Sequence, residues 1–201
     1  MNFMQLRERQ SKFPVTVKTG EGVVELIWNK IEYADGYRVF ASPVGKNHFV
    51  GVINVKGTTA VMKKRANGVP MQYKVKAFRI ADGPDNFFGE SEIVIACPLE
   101  TPRRLTAIVG SDGICTLSWR YNSQCDGFKI YADSNESGKY SFVCYSGKNS
   151  CRLDSFTKSG KVSFVVRSFI MTGHMEKLGV SSAPAEAVLP KSKGTKAVQF
   201  D

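Results

Sequence analysis

The sequence predicts an all-β protein built from two similar β-sandwiches in tandem. Three observations support this fold class: the chain repeats itself at a constant offset, apolar and polar residues alternate with a period of two, and turn-forming residues separate these runs at short intervals. A period of two places successive side chains on opposite faces of a strand. No segment has the 3.6-residue apolar spacing that indicates a helix.

The internal repeat appears at an offset of 91 residues, where Trp28 aligns with Trp119. The other coinciding pairs are Gly22 with Gly113, Leu26 with Leu117, Gly36 with Gly127, Tyr37 with Phe128, Tyr73 with Phe164, Val75 with Val166 and Phe78 with Phe169. This constancy predicts two copies of one domain, at residues 13–97 and 102–189, with basic tails at residues 1–12 and 190–201. Near the end of each copy, Gly89 and Ser91 align with Gly179 and Ser181 at an offset of 90, which predicts that the second copy has lost one residue in its last loop.

Alternation within each copy identifies the strands. The inward positions are Val24, Leu26 and Trp28, then Tyr37, Val39 and Ala41, then Tyr73, Val75 and Ala77, and in the second copy Cys115, Leu117 and Trp119. About seven short strands in roughly 90 residues, with an early buried tryptophan, are typical of a sandwich of two antiparallel sheets.

The composition limits the class of protein. Of 201 residues, 42% are apolar and 23% are charged, which is typical of a chain that folds. No apolar stretch approaches the roughly 20 residues that cross a bilayer, and the sequence does not open with a signal-peptide pattern. As written, it predicts a cytoplasmic protein without a membrane span; if it is excised from a longer chain, an extracellular or cell-surface location is expected.

The net charge is compatible with a polyanion as partner. The net charge of +10 comes from 28 lysines and arginines against 18 acids. No run of five or six like charges occurs, however, and the densest cluster, Lys63, Lys64 and Arg65, precedes a turn at Asn67–Gly68. A solvated basic surface is therefore the first interpretation.

The cysteines and histidines are not spaced for a metal site or for catalysis. No two of the five cysteines have the spacing of a zinc site, and His48 and His174 have neither cysteine nor carboxylate at ligand spacing. Glycine-rich phosphate loops are absent from the sequence as well. We therefore predict no metal, no cofactor and no enzymatic activity, and five free thiols.

Both copies resemble the fibronectin type III domain, an immunoglobulin-like β-sandwich. The residues that carry the resemblance are Trp28 and Trp119 on the second strand, Gly36–Tyr37 and Gly127–Phe128 at the start of the third, Tyr73 and Phe164 at the start of the sixth, and the Gly-x-Ser segments of the seventh. The resemblance implies two such domains in tandem, with a tyrosine corner only in the first, since Phe164 replaces the usual tyrosine. A looser immunoglobulin-like sandwich is the alternative fold.

The family's strand order implies further neighbours. Cys115 and Cys151 take inward positions on strands that this order places side by side, so we predict that both thiols point inward.

The third, sixth and seventh strands are also adjacent, which gives each copy one basic and aromatic outer face. In the first copy this face carries Arg38, Phe40, Lys74, Lys76 and Phe78, with Glu90 and Glu92 available to neutralise it.

In the second copy the corresponding candidate contact residues are Lys129, Tyr131, Arg167 and Phe169, beside Val165. This face is predicted to be less neutralised, because Val180 and Ser182 take the places of the acids.

Phe87 and Phe88 are further candidate contact residues. They are predicted to lie in the loop at residues 81–89, where two adjacent exposed rings would forgo the free energy gained by burial. Packing of these rings on the end of the sandwich, or against the other copy, is the structural alternative.

The sequence thus predicts a non-catalytic interaction or spacer module that contacts a protein partner through loops and sheet faces. The alternative is an accessory binder of an acidic polysaccharide or another polyanion, using Lys129, Arg167 and the tails. The dependence of binding on ionic strength distinguishes the two hypotheses, because binding to a polyanion weakens steeply as ionic strength rises.

Overall fold

The computed structural model of the protein describes residues 12–83, 86–154 and 159–190, and within them the only helical element is a short 3-10 turn, Ile80–Asp82. The chain divides into two compact units, Met1–Pro98 and Leu99–Asp201. The predicted fold class, two immunoglobulin-like sandwiches in tandem, is confirmed. The limits at residues 13–97 and 102–189 stay a prediction, and the predicted tails lie outside the described residues except at Lys12 and Pro190.

The first unit contains eight strands in its described residues. They are β1 (Val15–Gly20), β2 (Val23–Trp28), β3 (Gly36–Pro43), β4 (Val50–Val55), β5 (Thr59–Met62), β6 (Met71–Phe78), β7 (Phe87–Glu90) and β8 (Val94–Ala96). One sheet has the order β1-β2-β5 and the other β4-β3-β6-β7, with β8 also paired to β6. All of these pairings are antiparallel.

The second unit repeats this arrangement. Its described strands are β9 (Arg103–Val109), β10 (Cys115–Arg120), β11 (Gly127–Asp133), β12 (Ser141–Ser146), β13 (Ser150–Leu153), β14 (Gly160–Thr172), β15 (Met175–Leu178) and β16 (Ala185–Leu189). One sheet has the order β9-β10-β13, and the other has the order β12-β11-β14-β15 with β16 also paired to β14. In both units the predicted seventh strand is therefore divided into two short strands.

Each core lies between its two sheets and centres on the predicted tryptophan. Trp28 and Trp119 are 4% and 5% exposed, which confirms their equivalent burial. Each tryptophan meets the edge of an aromatic ring from the facing sheet: Trp28 meets Tyr37 with centroids 5.2 Å apart, and Trp119 meets Phe128 at 5.1 Å. Such edge-to-face pairs contribute about 0.5–1.5 kcal/mol beyond the area they bury.

The two cysteines predicted to point inward occupy neighbouring strands. Cys115 on β10 is fully buried and lies opposite Leu153, while Cys151 on β13 lies opposite Leu117 and is half-buried against the same core. All five cysteines are free thiols in the structure. Among the described residues, no helix is long and apolar enough to cross a membrane.

The structure corrects the alignment of the last strands. The Ser91 hydroxyl accepts a hydrogen bond from the Val75 N–H at 2.8 Å, and in the second unit Ser182, not Ser181, accepts one from Val166 at 3.0 Å. Because Val75 and Val166 are also 91 residues apart, the repeat keeps its offset at this point. The predicted loss of one residue in the last loop is wrong here.

This correction predicts that Ser182→Ala destabilises the second unit by about 1–3 kcal/mol, because the Val166 N–H would remain buried without its partner. Urea unfolding followed by Trp119 fluorescence, in a Trp28→Phe background, measures the change. The matched control is Ser181→Ala at the exposed neighbour, which should alter stability by less than about 0.5 kcal/mol. Equal losses in the two variants would contradict the assignment.

Candidate functional site

The outer face of the larger sheet of the second unit carries a row of aromatic rings. Ring centroids of Tyr131 and Phe142 are 5.9 Å apart, those of Phe142 and Tyr145 are 4.8 Å apart, and those of Tyr145 and Phe169 are 5.8 Å apart. The Lys129 ammonium lies 5.8 Å from the Phe142 centroid and 5.2 Å from that of Tyr145. We call these five residues the aromatic face.

Two of these rings were not predicted from the sequence. Phe142 and Tyr145 are three residues apart, so strict alternation would place them on opposite sides of β12. The pairing of β11 with β12 shifts register between Ile130 and Tyr131, and this irregularity brings both rings to the outer side. Their side chains are also the most open of the row, with Phe142 49% and Tyr145 58% exposed.

The cations of this face are already engaged. Lys129 forms a 2.7 Å ion pair with Glu176 of β15, and its hydrogen bond to that carboxylate raises the pKa of Lys129. Arg167 donates from Nε to the Gly179 carbonyl at 2.8 Å. The expectation that this face is less neutralised is wrong for Lys129, because Glu176 supplies an acid from β15. This strand is the counterpart of β7, but Glu176 lies at a position that alignment with Glu90 did not identify.

Phe169 also has a structural role. A side chain at Gly127 would meet the Phe169 ring at 3.0 Å, so the ring covers the bare backbone of the glycine, and Phe78 covers Gly36 in the same way in the first unit. Val165, expected beside these residues on the outer face, is 7% exposed. The ring surface that stays open on this face therefore belongs mainly to Phe142 and Tyr145.

The equivalent face of the first unit is held together by ion pairs. Glu90 bridges Lys74 at 3.1 Å and Lys76 at 3.2 Å, as predicted, whereas Glu92 lies beyond the end of β7. Burial opposes ionisation of Glu90, but its hydrogen bonds from the two lysines outweigh this and lower its pKa. Phe40 lies on the same face, with its ring centroid 5.5 Å from that of Phe87.

Phe87 and Phe88 begin strand β7 and are not loop residues, which corrects the sequence interpretation. Successive residues of a strand point to opposite faces, and the two rings do so. Phe87 joins the outer face, with Lys76 Nζ 5.4 Å from its centroid, whereas Phe88 packs against the first-unit core under the Arg79 guanidinium at 4.7 Å. Pro84 and Asp85 of the predicted loop lie outside the described residues.

The described part of the chain contains no group of three or more histidine, cysteine or acidic side chains placed to hold a metal ion. His48 and His174 are both exposed. The chemistry that the described outer faces offer is aromatic and cation–π contact.

The fold and this surface together define a class: a tandem of immunoglobulin-like sandwiches with an aromatic sheet face. In each unit the third, sixth and seventh strands are adjacent, which is the strand order that the fibronectin type III resemblance implies. No family model and no curated protein matches the chain.

Two solved structures are similar in fold. One is the crystal structure of chicken CNTN1 FN1-FN3 domains, with 18% identity and a TM-score of 0.40, covering 90% of this chain and 67% of that one. The other is a two-domain fibronectin type III segment of chicken tenascin, with 16% identity and a TM-score of 0.48, covering 88% of this chain and 97% of that one.

The different directions of the two adjacent phenylalanines predict different losses of stability. Phe88→Ala should lower the free energy of unfolding of the first unit by about 2–3 kcal/mol, less than a fully buried ring would lose. Phe87→Ala should cost under about 1 kcal/mol, since its ring packs only on the outer face. Urea unfolding followed by Trp28, with Trp119→Phe as background, compares them, and an equal loss would overturn their assignment to opposite faces.

The ion pairs of Glu90 predict a pH dependence. Because its folded pKa is lowered, its stabilisation is present above the ordinary pKa of about 4.3 and is lost as the pH falls through the folded value. In Glu90→Gln, the free energy of unfolding should fall less as the pH becomes acidic. The difference from the unchanged protein should be about 1 kcal/mol at most, because the ion pairs are partly exposed. Unfolding curves of the first unit between neutral and acidic pH test this, and parallel curves for the two proteins would contradict it.

Proposed function

We propose that the protein is a non-catalytic interaction module that binds a protein partner through the aromatic face of its second unit. The observation that carries the proposal is the pair of open rings, Phe142 and Tyr145, beside Tyr131 and Lys129. Tyrosine and other aromatic side chains supply much of the binding energy at protein interfaces. A contiguous exposed cluster of them is typical of a contact surface.

Comparison of the two units supports this assignment. At the offset of 91 residues, Phe142 and Tyr145 correspond to Gly51 and Asn54, which occupy the same positions of β4 opposite Phe40 and Arg38. The first unit therefore builds the same sheet without these rings. Their presence in the second unit is not a requirement of the fold.

The charges of the face favour a protein over a polyanion. Lys129 is paired with Glu176, and Arg167 is bound to the Gly179 carbonyl, so neither cation faces solvent without a partner. A polyanion would have to compete with those contacts, whereas an apolar or aromatic segment of a protein can use the rings directly. The net charge of +10 is the observation that keeps the polyanion as the second candidate.

The test replaces Phe142 by Ala and Tyr145 by Asn, the residue that the first unit carries. Immobilised protein captures a partner from extracts of cells that produce it, and the purified partner is then titrated against both proteins. We expect the double variant to weaken binding at least about 30-fold, which corresponds to roughly 2 kcal/mol. The matched control is Ile108→Ala, which removes an exposed apolar side chain from the other sheet of the same unit and should leave affinity unchanged.

Three results would contradict the proposal. Equal affinity of the double variant would remove the aromatic face from the interaction. Retention on a heparin column with affinity that falls steeply with salt, and no captured protein, would favour the polyanion. A concentration-dependent dimer that disappears in the double variant would identify a second copy of this chain as the occupant.

A further inference from the structure

Two cysteines of the second unit lie close together across the edge of its sandwich. The Sγ atoms of Cys144 and Cys151 are 3.4 Å apart. Cys144 belongs to β12 of the larger sheet and Cys151 to β13 of the smaller one, and only residues 147–149 lie between the two strands. The pair therefore spans the gap between the sheets at the point where the chain crosses from one to the other.

The two sulfur atoms are within contact distance of each other without being bonded. A disulfide needs its sulfur atoms at about 2.0 Å, so the two thiols have only a short distance to close. Both cysteines are half-buried and pack against the second-unit core, which orients them while leaving a route for a small reagent. Cys115, on the neighbouring strand β10, is fully buried and lies opposite Leu153.

The fold does not require this pair. The equivalent positions of the first unit hold Ile53 and Ala60, which occupy the same places in β4 and β5. Apolar residues of different size thus complete the same sandwich edge. Two thiols at these positions add a chemical property to the second unit that packing alone does not demand.

The hydrogen bond between the thiols makes them unequal. The hydrogen bond that the two thiols share lowers the pKa of Cys151 and raises that of Cys144. Thiolate is the nucleophile in thiol–disulfide exchange, so Cys151 is the attacking residue and Cys144 the resolving one.

We propose that Cys144 and Cys151 form an oxidisable dithiol that small disulfides, such as glutathione disulfide, convert to a covalent link between the two sheets. The Cys151 thiolate attacks one sulfur of the small disulfide, forms a mixed disulfide and releases the first thiolate. Cys144 then loses its proton to solvent and attacks the Cys151 sulfur, forming the protein disulfide and releasing the second thiolate. The protein loses two electrons and two protons, and one small disulfide is reduced to two thiols.

Tryptic mapping of the whole chain tests this proposal, because Lys148 lies between the two cysteines. After incubation of the native protein with glutathione disulfide, residues 140–148 and 149–152 should appear as one linked species that a reductant separates. The number of thiols titrated after denaturation should fall from five to three. Oxidation should also raise the thermal midpoint of the second unit, since the bond restricts its unfolded chain.

Variants separate the pair from the other thiols. Two variants each remove one thiol: Cys144→Ser, and Cys151→Ala, which introduces the residue found in the first unit. Each should abolish the linked species, and the thermal midpoint of the reduced protein should change by only a few degrees. Cys125→Ala, the matched control, should retain the linked species. A stable glutathione adduct at Cys151, a link between residues 149–152 and residues 105–120, a disulfide-linked dimer, or a link formed only after denaturation would each overturn the proposal.

Discussion

The fold of each unit depends on one contact between its sheets, the edge-to-face packing of a tryptophan on an aromatic ring. Trp28 ends β2 and Tyr37 lies near the start of β3, so the chain must pass from one sheet to the other between them. The same holds for Trp119 and Phe128. Once these rings are buried, alternation decides the direction of each following side chain on β3 and β11. The inward set then closes the core, and the outward set forms the exposed faces of the sheets.

The two outer faces show how one scaffold accepts different surfaces. In the first unit, Glu90 links Lys74 and Lys76 beside Phe40 and Phe87, which leaves a surface of closely paired charges and partly covered rings. In the second, Phe142 and Tyr145 of the aromatic face are open, Lys129 is paired with Glu176, and the neighbouring Arg167 is bound to a backbone carbonyl. Outward residues contribute little to the core, so they can change without loss of the fold. The two faces can therefore differ in chemistry although the scaffold is the same.

The cysteines illustrate the same separation between packing and chemistry. Cys115 is enclosed in the core, where burial raises the pKa of its thiol and it behaves as a small apolar side chain. Cys144 and Cys151 lie at the open edge of the same sandwich, where two strands from different sheets meet. Position at the edge, rather than the number of cysteines, distinguishes the reactive pair from the inert thiol.

The sequence by itself determined the repeat, the all-β class and the inward residues of the core strands, because these depend on a local period of two and on apolar burial. It also placed Lys129, Tyr131, Arg167 and Phe169 on one face. Only the tertiary structure decided that Phe142 and Tyr145 join them, that Ser182 is the counterpart of Ser91, and that Phe87 and Phe88 divide between face and core. Each of these depends on a register shift, a hydrogen bond or a strand boundary that arises only when a second strand is present. Alternation along one strand does not specify how that strand pairs with a second one.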